Sequence, residues 1–147
     1  MKSMTPPDAL YEQDFLAWTE MMAAALEDRR VADLDWAHLA EEIRDLGISQ
    51  KHALKSHLEN VQLHLIKWEI QPARRCRSWE DSISNSRREI QALLDLIPSL
   101  RPFLLSVFES TLDRAYRYAT RETHLPDGTP YTRWTLEQVL KTGFLPD

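Results

Sequence analysis

Between His64 and Trp79 the chain reads HLIKWEIQPARRCRSW, which gathers a histidine, a lysine, three arginines, a cysteine and two tryptophans around one proline. Guanidinium groups present paired donors that fit phosphate or carboxylate oxygens, and indole faces attract cations. His64, Lys67, Arg75, Trp79 and, further on, Arg88 therefore have the chemistry of an anion or phosphate site, with Arg74, Arg77 and Arg87 adding charge. Interleaved aromatic and basic side chains also suit single-stranded nucleic acid, whose bases stack while arginines neutralise the backbone. The same groups have a structural use. Lys67 would sit favourably at a helix C-terminus, Pro72 would fix a turn, and Arg75 or Arg88 would pair with Glu41 or Glu42 of an earlier, acidic helix. Charged clusters commonly organise structure, so the structural corner is the first expectation and the anion site the second.

Other chemistries find less support. Cys76 lies between Arg75 and Arg77, which would favour its thiolate, but no histidine stands beside it in the sequence. His57 and His64, seven apart, share a helical face, and His38, Glu41 and Glu42 could project from a neighbouring helix; the Glu-x-x-His pairs of carboxylate-bridged metal bundles are absent. No metal and no cofactor is assigned. A Gly-rich phosphate loop, a Gly-x-Ser-x-Gly elbow and a His-Glu-x-x-His pair are all missing, so whether the chain is an enzyme stays open.

The chain has 147 residues, 43% hydrophobic and 28% charged, with only three glycines; one helical domain over residues 1–147 is expected. The formal charge of -5 disfavours a general nucleic-acid binder, although a local basic patch could still serve. Charge is uneven: residues 1–47 hold eleven acids against four bases, and residues 48–100 eight bases against six acids. That asymmetry suits internal pairing or a basic partner. A single cysteine excludes an intrachain disulfide, and no leader-like or membrane-length apolar run is visible, so a cytoplasmic protein without a membrane segment is expected.

Helical periodicity supplies the scaffold. Tyr11, Phe15, Trp18, Met22 and Ala25 predict a first helix from Asp8 to about Arg30, with Asp8 able to cap it. Trp36, Leu39, Ile43 and Leu46 share one face of a second, and Gly47 either stops it or kinks a longer one. From Ser49 to Glu69, Leu54, Leu58, Val61, Leu65 and Trp68 form one seam while Leu63, Ile66 and Ile70 form an opposite stripe, as in a central helix that Pro72 ends. Ser78 and Asp81 resemble a capping box for the next, which Pro98 closes. Ser99 could cap a helix running to Thr123; a loop follows, then a short helix with the box Thr135–Gln138. All these stripes are expected in the core. A surplus stripe, such as the second one of the Leu54 helix or the tail Phe144–Leu145, would be the place for another copy or a different protein.

Several blocks resemble a bacterial family known only as domain of unknown function 29: YEQDFLAW, LDWAHLAEEIRDLG, HLIKWEIQP followed by RCRSW, and PSLRPFL. The positions that carry the resemblance include Glu41, Glu42, His64, Lys67, Trp68, Pro72, Arg75, Ser78, Trp79, Ile83 and Arg88; Ser82 stands where threonine is expected and keeps the hydroxyl. The resemblance implies a helical domain, usually alone in its chain, and supplies no activity. The expectation is thus an all-α bundle of about five or six helices, first a non-enzymatic protein-interaction module, and second an anion or nucleic-acid binder at the His64–Arg88 corner.

Overall fold

The computed structural model describes residues 6–147. Among them are six α-helices and no strand: α1 (Pro7–Gln13), α2 (Phe15–Glu27), α3 (Trp36–Ile70), α4 (Arg77–Leu96), α5 (Arg101–Thr123) and α6 (Leu136–Leu140). The chain forms two compact units, residues 1–49 and 50–147. No single helix among the described residues is long and apolar enough to cross a membrane.

In the first unit the expected single helix is two. Asp14 leaves the helical region and its carboxylate accepts from the Ala17 amide at 3.1 Å, so it caps α2 and breaks the chain from α1. Asp8 lies in the first turn of α1 without making a cap bond. Trp18, Met22 and Ala25 form the buried face of α2. Asp35 starts α3, accepting from the His38 amide at 3.3 Å.

α3 passes Gly47 without a break, because a helix with good formers on both sides absorbs the roughly 1 kcal/mol that one glycine costs. Its first turns overturn the expectation of a buried stripe. Trp36, Ile43 and Leu46 are 62%, 67% and 67% exposed, and only Leu39 is half-buried. At 3.6 residues per turn they lie roughly 100° around the helix from His38 and Glu42, the residues of this stretch that bond to Asp35 and Tyr11. Periodicity identified an apolar face correctly, but what covers such a face is decided by the rest of the chain.

The second unit is a bundle built on the remainder of α3. Leu54, Leu58, Val61 and Leu65 are fully buried, as is Ile66 of the opposite stripe, and Leu63 and Ile70 pack against the same core. Ile83, Ile90 and Leu94 of α4 and Leu104, Phe108, Leu112, Ala115 and Ala119 of α5 complete it. Buried Gln62 ties α3 to α5 by donating to the Phe108 carbonyl at 3.1 Å. Pro72 starts a 3-10 turn, Pro72–Arg74, just after α3 ends. Ser78 caps nothing: Cys76, two residues earlier, holds the N-cap position just after that turn. Likewise Ser99 falls inside the 3-10 turn Pro98–Leu100, and Leu100 precedes α5. The box of Thr135 and Gln138 does cap α6. Trp134 and Val139 are buried, and Phe144 and Leu145 pack back on the core, so neither they nor the second stripe of α3 is left over for a partner.

Candidate functional site

The corner brings its residues together in pairs. Lys67, in the last turn of α3, holds its Nζ 4.7 Å from the Trp79 ring centroid and 3.0 Å from Glu122 of α5. Arg75 lies over the Trp68 ring at 5.2 Å and donates its Nε to the Trp68 carbonyl at 2.8 Å. That carbonyl is one of the four that a helix C-terminus leaves without an intrahelical donor, so Arg75 closes the end of α3. Trp68 in turn donates its indole N–H to the Pro146 carbonyl at 3.1 Å and pins the tail. His64 donates Nδ1–H to the Asn60 carbonyl at 2.8 Å, and burial holds its pKa below the ordinary value by disfavouring the imidazolium.

Lys67, Arg75 and His64 of the corner therefore already face protein partners, while Arg74 and Arg77 are exposed. The surface depression beside it is lined by Arg75 and Arg77 but also by Glu80 and Asp81, which denies a polyanion a uniformly cationic face. Arg88 stands apart, nine residues along α4 from Trp79, and hydrogen-bonds Asn85. The partners of the expected ion-pair residues are thus different ones: Trp68 for Arg75, Asn85 for Arg88, and Tyr11 for Glu42, whose carboxylate accepts at 2.5 Å. Glu41 is exposed.

Arg88 does share a cavity of about 390 Å³ with Arg87, between α4 and the segment that follows α6. Arg87 is 7% exposed; its Nε donates to the Val139 carbonyl at 2.7 Å, while Nη2 is buried without an acceptor. Burial pushes its pKa down to about 10, so the group is still a cation at neutral pH. No aspartate or glutamate lines the cavity, and neither arginine enters an ion pair among the described residues. A buried charge without a counter-charge costs several kcal/mol. The sequence placed Arg87 among the basic residues of this region but could not show that it alone would be buried.

A second cluster, less visible in the sequence, lies in the first unit. Tyr11 stacks on His38 with centroids 3.8 Å apart, and His38 Nδ1 donates to Asp35 Oδ2 at 2.6 Å. Trp18 donates to the same oxygen at 3.2 Å. The hydrogen bond to Asp35 raises the His38 pKa. Burial pushes Asp35 upward, but the donors from His38 and Trp18 outweigh it and leave the carboxyl lowered. Tyr11 is pushed up to about 12, first by its bond to Glu42. These groups hold one another, and among the described residues no set of three or more His, Cys, Asp or Glu converges to hold a metal ion.

Two outcomes check this geometry. Arg75→Ala should lower unfolding stability in urea by roughly 1–2 kcal/mol, the worth of one charge-assisted bond plus a stacked cation; an unchanged midpoint would remove its capping role. The raised His38 pKa stabilises below the ordinary 6.5 and is lost as pH rises through the folded value. The lowered Asp35 pKa stabilises above the ordinary 3.8 and is lost as pH falls through the folded value, so the pair contributes most between the two. An NMR titration should place the His38 midpoint above 6.5 and return it toward 6.5 in Asp35→Asn; equal midpoints in the two proteins would disprove the coupling.

No curated protein and no solved structure matches the chain. The family described as "Domain of unknown function DUF29" matches over residues 10–145, almost the whole length and both compact units. The match covers far more than half of the chain, and the chain belongs to the DUF29 family.

Proposed function

We propose that the protein is a non-enzymatic interaction module that docks a basic, apolar helix of a partner protein along the first turns of α3. The observation that carries this is the exposed stripe of Trp36, Ile43 and Leu46. Large aromatic and aliphatic side chains at helical spacing are the anchors by which one helix seats another, and tryptophan is prominent among interface hot spots. Charge selects the partner. The stretch from Trp36 to Leu46 carries Glu41, Glu42 and Asp45 against a single arginine, Arg44, in a region of eleven acids and four bases. Glu41 and Asp45 lie on the far side of α3 from the stripe, so what attracts a lysine- or arginine-edged helix is the net acidic charge of this region, which a second copy would share and be repelled by.

The test uses a labelled helical peptide with leucines on one face and lysines on the other, beside its glutamate counterpart. Fluorescence anisotropy should show the lysine peptide binding with Kd on the order of 10 μM, weakening with salt, and at least about tenfold weaker with the double variant Ile43→Gln/Leu46→Gln. Equal binding of both peptides, or an unaffected double variant, would contradict the proposal. A wild-type dimer in sedimentation equilibrium that the double variant abolishes would overturn it in favour of self-association.

A further inference from the structure

We propose that the cavity between α4 and the segment after α6 binds a small phosphate-bearing molecule, whose oxyanion is held by Arg87 and Arg88. The site lies in the second unit and is independent of the exposed stripe on α3. Its central feature is the guanidinium of Arg87, a residue 7% exposed, whose only acceptor among the described residues is the Val139 carbonyl and whose Nη2 is buried without one. A protein tolerates a buried cation where a counter-charge completes it, and here none of the lining residues is acidic. The bond to Val139 fixes the guanidinium plane, so its remaining donors are preorganised.

The rest of the lining defines the ligand. Arg88 adds a second, more exposed cation, and two hydroxyl-bearing residues, Ser84 and Thr142, line the same space. Two guanidinium groups with hydroxyl-bearing neighbours suit a tetrahedral oxyanion, whereas one guanidinium fork is enough for a planar carboxylate. Ile90 and Leu140 form an apolar wall, which leaves a place for an organic group beyond the phosphate. A volume of about 390 Å³ lies at the small end of ligand-sized cavities.

The experiment follows thermal unfolding of the full chain with inorganic phosphate, against acetate and chloride at matched ionic strength. Phosphate should raise the unfolding temperature saturably, as ligands of the folded state do. Arg88→Gln, a change at an exposed position that preserves the fold, should weaken apparent phosphate affinity at least about tenfold. Arg87→Lys should also weaken it, because an ammonium keeps the charge and loses the planar fork. The proposal fails if phosphate does no more than chloride, if acetate binds as well or better, or if both variants respond to phosphate as the wild type does.

Discussion

One helix of 35 residues organises the chain, and the decisive constraint is what covers it. From Leu54 onward α3 is apolar on two sides and the second unit covers both, with Leu54, Leu58, Val61, Leu65 and Ile66 fully buried. Before Gly47 the same helix shows an apolar face that the described residues of the first unit do not cover, since α1 and α2 meet it at His38 and Glu42 and at Asp35 just before it. A long helix continues through its own backbone hydrogen bonds whether or not a face is buried. That independence lets α3 carry an open stripe in one unit and a closed seam in the other.

Around the closed seam, polar groups mostly finish helices. Arg75 caps the end of α3, Trp68 holds the tail through Pro146, and Glu69 accepts from the Thr132 amide at 2.8 Å to anchor the loop before α6. Of the basic corner that dominates the sequence, Arg75 is consumed in this way and Lys67 pairs with Glu122. Arg87 differs from its neighbours because it is buried and only partly satisfied, so the cation with the strongest physical claim on a ligand is not the most conspicuous one in the sequence.

Much of the fold was legible. Pro72 and Pro98 marked the ends of α3 and α4, the helix expected to run to Thr123 is α5, which ends there, and Thr135 with Gln138 announced α6. The failures have physical causes. Asp14 could cap a helix or sit within one, and only the chain's turn chose; Ser78 had the right spacing for a box but a 3-10 turn had already placed Cys76 at the start of α4. Gly47 is compatible with stopping a helix, yet nothing lies within 4 Å of a Cβ built there and the helix simply continues. The sites were less legible than the elements. Residue types located the basic region, but burial, which separates Arg87 from Arg88 and Trp36 from Trp68, comes from packing that a one-dimensional pattern does not contain.

The openness of the α3 face is the claim on which the functional reading stands, and it is measured most directly by urea unfolding of wild type beside Ile43→Gln/Leu46→Gln. Glutamine is a good helix former, so on an uncovered surface the pair should change stability by no more than about 0.5 kcal/mol with unchanged slope. A loss above about 2 kcal/mol would mean that the folded chain covers these side chains itself and leaves no face for a partner.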